Sequence, residues 1–379
     1  MTISQRLKAA ANGYIEALIL PSDPLCPMWT RENFIFKKQA KWNYIDGCMI
    51  RAALMLYELG GDRRLLEHAR RFVCAYVEED GTIPTMRRED YNLDNMSGGR
   101  SLIGLYRLTG EERFRLAFEG LAKALSAQPR LGCGSFWHKA IYPYQLWLDG
   151  AYMALPFLAE YGLLTGKDEL RGDVLSQLQN IRDLMRDPAT GLYFHGYDET
   201  RSMLWADPES GLSAEFWLRA MGWLCAGLAD LCELLPEEEL PAEMLSGLLE
   251  ALSEHITAEG MLMQLPARED LPGNYPETSG TLLFAYSAMK AARLGAADER
   301  LGQIGAQALL TVTERYISLD EGRVPVLRNI CLMGGLGGAQ DRDGSAAYYL
   351  SEKIVENDAK GIAPFLMAYC EHERRKTDN

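Results

Sequence analysis

The chain has 379 residues, of which 47% are hydrophobic, and its 39 Lys and Arg against 53 Asp and Glu give a net charge of -14. This hydrophobic content is ample for a large packed core. The acidic balance argues against nucleic acid or an anionic membrane as the main partner, because both require a basic protein surface.

The eight cysteines are scattered, and they predict neither a zinc site nor a disulfide framework, because there is no Cys-x-x-Cys pair and no nearby histidine at ligand spacing. We interpret them as reduced, mostly buried thiols. The N-terminal stretch lacks the continuous apolar core of a signal peptide, and no later segment has about 18 uncharged apolar residues in a row. These features predict a cytoplasmic protein with no membrane partner, no metal and no other cofactor.

A helix-turn-helix pattern recurs along the chain. An apolar helix end is followed by Gly or Pro, then by charged residues and a new helix rich in Leu and Ala, as left-handed caps and acidic first turns require. The junctions are Leu59-Gly60-Gly61-Asp62, Thr109-Gly110-Glu111, Thr165-Gly166-Lys167-Asp168, Leu235-Pro236-Glu237 and Leu294-Gly295-Ala296. Their separation of roughly 50 to 70 residues favours long helical hairpins over short solenoid repeats.

Between the junctions, apolar residues recur at three- or four-residue spacing, which is typical of amphipathic helices. Segments 260–264 and 323–327 are among the few short strand candidates and predict small hairpins or loop edges. No linker divides the chain. The simplest interpretation is therefore one all-α domain, residues 1–379, of about a dozen helices closed as a toroid of hairpins, with a ligand cleft among the loops at one end.

Residues 136–161 place one carboxylate, Asp149, inside an aromatic and aliphatic run. Trp147 and its aromatic neighbours offer flat faces of the kind that stack on sugars, and His138 and Lys139 add polar groups. Asp149 is either a catalytic acid and base or the N-cap of the helix that follows.

Three further side chains interrupt the helical pattern among glycines and aromatics. Asp94 is either a second functional carboxylate or the cap of the helix that follows it. His195 is either a site residue or a structural histidine. Arg219 can act together with Trp217 only if both lie at the first turn of a helix, open to the cleft; otherwise Arg219 is a buried ion-pair partner.

Two other segments have simpler interpretations. In segment 274–281, we expect Thr278 or Ser279 to cap the next helix. The glycines of segment 334–338 are not followed by Lys-Ser or Lys-Thr, so they predict a flexible rim loop rather than a phosphate-binding loop.

Together these residues resemble the unsaturated glucuronyl and galacturonyl hydrolases of glycoside hydrolase families 105 and 88, most of all the unsaturated rhamnogalacturonyl hydrolases of family 105. The most specific match runs from Trp137-His138-Lys139 through Tyr142-Pro143 to Gln145-Leu146-Trp147-Leu148-Asp149-Gly150. Weaker matches are Leu93-Asp94, His195-Gly196-Tyr197-Asp198, Trp205-Ala206-Asp207, Phe216-Trp217 with Arg219, Glu277-Thr278-Ser279-Gly280 and Asn357-Asp358-Ala359-Lys360-Gly361.

The resemblance implies an (α/α)6 barrel of six helical hairpins. It also implies a catalytic pair and a set of substrate-binding residues. The implied catalytic residues are Asp149, as acid and base, and Asp94 nearby. The implied substrate-binding residues are Lys139, His195, Trp217, Arg219, His138 and Trp147. Leu218 departs from the small residue that many members have at this position, which affects the expected aglycone preference more than the reaction.

The implied reaction removes a 4,5-unsaturated uronic acid, with galacturonyl on a rhamnogalacturonan disaccharide as the first candidate, by hydration of its C4=C5 double bond. An acid for this step must hold its proton near neutral pH, although a free Asp has a pKa of about 3.9. We expect aromatic burial and the like charge of Asp94 to raise the pKa of Asp149.

Two other functions stay open at this point. One is a sugar epimerase or isomerase on a similar toroid, for which His138 and His195 are the available histidines. The other is a non-catalytic carbohydrate-binding protein. The sequence carries no prediction of an oligomeric state.

Overall fold

The computed structural model describes residues 1–320, 323–338 and 342–377. Its α-helices, in chain order, are α1 Ile3–Tyr14, α2 Arg31–Phe36, α3 Tyr44–Gly60, α4 Arg63–Cys74, α5 Gly99–Thr109, α6 Glu112–Ser126, α7 Asp149–Thr165, α8 Asp168–Met185, α9 Leu218–Leu234, α10 Glu239–Ser253, α11 Thr278–Arg293, α12 Glu299–Arg315, α13 Ala346–Ser351 and α14 Ala359–Thr377. A π-helical segment, Ile15–Ile19, extends α1.

Six of these helices form a closed inner ring. Helices α3, α5, α7, α9, α11 and α14 each contact the next in that order, and α14 contacts α3. Helices α4, α6, α8, α10 and α12 pack outside them as the second members of hairpins. The predicted (α/α)6 fold is confirmed.

All five predicted junctions are turns within hairpins, so they account for five pairs of helices rather than six. The sixth pair comes from the two ends of the chain, because α1 packs against α12 and α14. Gly61 and Gly166 follow α3 and α7 with φ of 71° and 68°, a left-handed conformation that costs a residue with a Cβ more than it costs glycine.

Burial explains which helices are inside. In α9 every residue from 218 to 232 is buried, whereas α4 buries one stripe and exposes three of its four arginines. A helix that is apolar on all sides must lie within the core, and one with a single apolar stripe covers it. None of the helices in the described ranges combines the length and apolarity that a membrane-crossing helix requires.

Within the described ranges, the strands form three small antiparallel pairs. They are β1 Gln145–Trp147 with β2 Gly196–Asp198, β3 Ile317–Ser318 with β4 Val326–Leu327, and β5 Ile330–Cys331 with β6 Ile354–Val355. Strand β4 confirms the candidate at 323–327, but segment 260–264 forms only one bridge, between Met263 and Pro276. The β1–β2 pair was not predicted.

All eight cysteines are free and five are buried, which confirms reduced, mostly buried thiols.

The predicted cap of α11 is wrong. Glu277 occupies the N-cap position and its carboxylate accepts a hydrogen bond from the Gly280 amide, while Thr278 and Ser279 lie inside the helix.

A cluster of buried charges crosses the inner ring. The Arg100 guanidinium donates to Glu160 at 2.9 Å and also to Asp230, and Lys290 Nζ lies 2.7 Å from Asp230. We call these four residues the ionic cluster. Burial alone would raise the pKa of Asp230, but Lys290 and Arg100 outweigh it and hold that pKa well below the ordinary value.

Three of the four residues of the ionic cluster lie far along the inner helices from their first turns, and the fourth, Arg100, is the second residue of α5. Glu160 follows the first residue of α7 by eleven positions, which corresponds to about 16 Å at 1.5 Å per residue. Asp230 and Lys290 lie similarly late in α9 and α11. The first turns of α7, α9 and α11 are therefore not part of the ionic cluster.

Candidate active site

Asp149 is the first residue of α7. Leu148 occupies the N-cap position with helical backbone angles and no side-chain cap, so Asp149 is at the helix start but is not the N-cap. The β1–β2 register pairs Trp147 with Gly196, and the Leu148 amide donates to the His195 carbonyl at 2.9 Å. This pairing places the Asp149 side chain, 16% exposed, next to the buried His195 ring.

His195 connects Asp149 to a residue that the sequence analysis missed. Asp149 Oδ2 lies 3.0 Å from His195 Nε2, off the axis of an aligned hydrogen bond, and His195 Nδ1 lies 2.7 Å from the Tyr349 hydroxyl. Burial keeps the pKa of Tyr349 well above its ordinary value, so its hydroxyl stays protonated. Because Nε2 faces a carboxylate, we assign a proton to Nε2, with Nδ1 accepting from the Tyr349 hydroxyl.

The pKa of Asp149 differs from the expectation. Burial raises it, but the contact with His195 and the electrostatic influence of the His195 and His138 rings outweigh burial, so the pKa lies below the ordinary value. The prediction of a raised pKa in the unliganded protein is therefore wrong. The sequence did not show that a histidine would contact the carboxylate.

Asp94 lies in a 3-10 turn, Leu93–Met96, that packs against α7. Asn92 caps this turn by accepting from the Asp94 amide at 3.1 Å, and α5 begins only after it, so the helix-cap interpretation of Asp94 is wrong. The Asp94 carboxylate accepts a hydrogen bond from Lys139 Nζ and lies 3.7 Å from His138 Nε2. Its negative charge is thus offset by Lys139.

Asp94 and Lys139 line a cavity of about 470 Å³, a volume typical of small-ligand sites. The other lining residues come from segments 30–45 and 92–95: Thr30, Glu32, Asn33, Lys38, Gln39, Lys41, Trp42, Asn43, Tyr44, Ile45, Asn92 and Asn95. The sequence analysis did not include segment 30–45 in the site. A second cavity, of about 440 Å³ between α6 and α8, contains none of the predicted site residues, so volume alone does not select the site.

One buried carboxylate anchors both ends of segment 30–43, which we call the cavity wall. Asp46 accepts hydrogen bonds from Trp29 Nε1 at 2.7 Å, Thr30 Oγ1 at 3.3 Å and Asn43 Nδ2 at 2.8 Å. Burial, partly offset by these donors, raises the pKa of Asp46 to about 6. The segment from 30 to 43 is therefore anchored to α3.

A stacked group of rings forms the wall beside Asp149. The His138 ring lies 4.6 Å from that of Trp147, and Trp147 lies 4.5 Å from Tyr142. Trp147 Nε1 donates to Gln145 Oε1 at 3.0 Å. Burial and the charge of Lys139 lower the pKa of His138 to about 4, so this ring is neutral at pH 7.

Trp217 and Arg219 lie at the start of α9, as their joint action would require, but they are 2% and 1% exposed and do not open to the cleft. The Arg219 guanidinium lies 4.8 Å from the centre of the Trp217 ring and donates to the Cys331 carbonyl. A Cβ on Gly334 would approach Trp217 to 2.6 Å. The glycine segment 334–338 therefore packs against the site at Gly334 and is not a free rim loop; residues 339–341 lie outside the description.

Buried polar atoms without a well-aligned partner concentrate around this site. Six of the eleven such atoms in the described residues belong to it: Trp137 Nε1, His138 Nδ1, Asp149 Oδ2, His195 Nε2, Trp205 Nε1 and Trp217 Nε1. An unsatisfied buried polar group costs roughly 1–3 kcal/mol, so a concentration of them indicates a place where a ligand supplies partners.

Comparisons with known proteins identify the family to which the chain belongs. The profile of Glycosyl Hydrolase Family 88 matches residues 26–376. Over 228 residues the chain is 43% identical to a 24.9 kDa protein in the picA locus of Rhizobium radiobacter, spanning 58% of this chain and 97% of that protein. It is 25% identical over 267 residues to the unsaturated rhamnogalacturonyl hydrolase YesR of Bacillus subtilis, spanning 68% of this chain and 73% of that enzyme.

The fold is similar to a solved glycoside hydrolase of family 105 from C. acetobutylicum, with a TM-score of 0.88 and 34% identity, over 97% of this chain and 99% of that chain. The profile match covers nearly the whole chain, and the structural match carries substantial sequence identity. The chain belongs to the glycoside hydrolases of families 88 and 105.

Proposed function

We propose that this glycoside hydrolase removes a 4,5-unsaturated uronic acid from the non-reducing end of lyase-generated oligosaccharides, and that residues 1–379 form one cytoplasmic catalytic domain for this reaction. The observation that carries the proposal is the unequal engagement of the two carboxylates. Asp149 contacts His195 at 3.0 Å, whereas Asp94 is bonded to Lys139. Ordinary glycosidases need two working carboxylates at the anomeric carbon, but hydration of a double bond needs one acid and base.

The chemistry follows from the substrate. Its C4=C5 double bond is conjugated to a carboxylate and joined to the ring oxygen, so it is a vinyl ether. Asp149 protonates C4, which places positive charge on C5 and the ring oxygen. The same carboxylate then takes a proton from water as the water oxygen bonds to C5. The resulting hemiketal opens and releases the aglycone.

The acid form of Asp149 arises in the complex. Alone, the carboxyl group has a lowered pKa and is ionised at neutral pH. The substrate brings a second negative charge and excludes water, and both effects raise the pKa of a buried carboxyl group. His195 Nε2 is close enough to exchange a proton with Asp149, while Tyr349 holds the other ring nitrogen.

Lys139 is the better candidate to bind the uronyl carboxylate. Its side chain is 21% exposed and lines the cavity, whereas Arg219 is enclosed behind Trp217. His138, Trp147 and Trp217 stay predicted substrate contacts. In the unliganded protein they form the wall of rings next to Asp149.

The test is a panel of lyase-generated unsaturated disaccharides. The similarity to YesR makes the rhamnogalacturonan product the first choice. We expect the absorbance of the ene-acid to fall as the aglycone appears, with no reaction of the matched saturated disaccharide. Equal cleavage of the saturated compound, or no reaction with any unsaturated one, would contradict the proposal.

A further inference from the structure

A basic segment lines the cavity of this acidic protein. Lys37, Lys38 and Lys41 fall within five residues of a chain whose net charge is -14. Lys38 and Lys41 line the cavity, and Lys37, which ends α2, does not. Their concentration at the cavity wall opposes the charge of the whole protein, so an anion is attracted locally although the protein as a whole repels it.

The carboxylates of the cavity are already engaged. Glu32 Oε1 lies 3.0 Å from Nζ of the buried Lys360, and Asp94 is bonded to Lys139. Lys38 lies 3.6 Å from Glu32 and is 55% exposed. In the described part of the chain, Lys41 has no acidic oxygen within 4 Å. Positive charge on Lys38 and Lys41 is thus available to a ligand.

The wall that carries these lysines is held in place from both sides. Asp46 on α3 accepts hydrogen bonds from Thr30 and Asn43, and Lys360 on α14 bonds Glu32 of α2. A wall fixed before binding presents its charges at a lower entropic cost. Asn33 and Gln39 on the same wall add amide groups of the kind that bond sugar hydroxyls.

We propose that Lys41, assisted by Lys38, selects oligosaccharides whose aglycone carries an anionic group, either a uronate carboxylate or a sulfate ester. This inference rests on the proposed function. With the unsaturated uronyl group at Asp149, the aglycone extends past Asp94 and Lys139 into the cavity, and Lys41 binds its negative charge. The preference is electrostatic, so it weakens as ionic strength rises.

The experiment compares three unsaturated uronyl disaccharides that share the uronyl group. Their aglycones carry a free carboxylate, the methyl ester of that carboxylate, or a sulfate ester. The variants are Lys41→Gln and Lys38→Gln, with Lys37→Gln as a control that removes the same charge from outside the cavity. We expect Lys41→Gln to lower kcat/KM on the anionic substrates about tenfold, mainly through KM, with a smaller change on the methyl ester.

The activities of the three variants either support or overturn the proposed role of Lys41. A selective loss in Lys41→Gln, a weaker one in Lys38→Gln and none in Lys37→Gln supports the proposal, and the carboxylate and sulfate arms show which anion is preferred. An equal loss on all three substrates shows that Lys41 binds the uronyl group itself and overturns the inference. Equal effects of Lys37→Gln and Lys41→Gln also overturn it. In these two cases the proposed function stands. If the wild-type protein consumes none of the substrates, both this inference and the proposed function are overturned.

Discussion

The ionic cluster of the inner ring and the polar side chains around Asp149 differ in how completely they are paired. In the ionic cluster, Arg100, Glu160, Asp230 and Lys290 each have an oppositely charged partner within 3.0 Å. Around Asp149, six buried polar atoms lack a well-aligned partner. Helices α7, α9 and α11 therefore carry a paired network late in their length, whereas the unpaired atoms lie at the starts of α7 and α9 and in the loops before them.

This difference separates residues that stabilise the fold from residues that act on the substrate. Helix α7 contributes Asp149 to one group and Glu160 to the other, three turns apart. Removing one partner from a fully paired buried network leaves an uncompensated charge, which is costly. Removing a group that has no well-aligned partner costs little stability but deprives the substrate of a contact. The predictions below test this contrast, from the largest expected effect to the smallest.

The largest effect is expected for Asp149→Asn. The amide cannot protonate C4, and loss of a positioned general acid costs roughly 10²–10⁴-fold in rate. We expect turnover to fall by about a thousandfold, measured by loss of ene-acid absorbance, with the thermal midpoint nearly unchanged. Asp168→Asn is the matched control, because Asp168 is an exposed carboxylate that also begins a helix. Turnover near that of the control would remove Asp149 from the mechanism.

Asp230→Asn should show the opposite pattern. The variant removes the negative charge that pairs with Arg100 and Lys290, so these two buried cations are less fully neutralised. We expect the free energy of unfolding, measured with denaturant, to fall by about 3–5 kcal/mol, while the folded fraction keeps its kcat. Asp183→Asn, which changes an exposed carboxylate, should alter stability by less than about 0.5 kcal/mol. Equal stability losses would show that the ionic cluster does not hold the ring.

A pair of identical substitutions separates the two groups more finely. Tyr349→Phe removes the hydroxyl that fixes the His195 tautomer, and we expect kcat to fall about tenfold with a changed acidic limb of the pH–rate profile. Tyr286→Phe removes a hydroxyl that donates to Asp230, so it should lower stability by about 1 kcal/mol and leave that profile unchanged. Identical pH profiles for both variants would deny Tyr349 a positioning role.

The last prediction concerns Asp46, which anchors the cavity wall to α3. Its pKa is about 6 in the folded protein, above the ordinary value, so its contribution to stability is present at low pH and is lost as pH rises through about 6. An asparagine at this position cannot ionise, so the Asp46→Asn variant does not lose stability in this way as pH rises. We therefore expect the stability of the variant relative to wild type to increase by on the order of 1–2 kcal/mol between pH 4 and 7. A difference that is constant with pH would refute the raised pKa.

The sequence predicted the helices better than the site. Gly61 and Gly166 mark turns that local conformation dictates, so the hairpins could be predicted from spacing. Asp149 and Asp94 were identified as carboxylates in unusual surroundings, but their partners depend on distant pairing. Tyr349 lies 154 residues from His195, and only the packing of the closed ring brings them together. The lowered pKa of Asp149 follows from such a contact, which periodicity does not encode.

The enclosed position of Arg219 has a similar origin. Its place in the first turn of α9 was predictable, but its burial depends on β5, whose Cys331 carbonyl accepts its hydrogen bond. Segment 30–45 carried a signal in its three lysines, yet nothing local indicated that it would face Asp94. Local chemistry thus fixes element types, and the closure of the ring fixes the site.

The most direct test of the account is the reaction of an unsaturated uronyl disaccharide in D₂O, followed by nuclear magnetic resonance of the released uronic acid product. We expect that the double bond disappears, that one deuterium is bound at C4 of the product, and that Asp149→Asn gives neither change. Release of the aglycone with the double bond retained and no deuterium at C4 would contradict it, because the bond at the anomeric carbon would then have been hydrolysed directly.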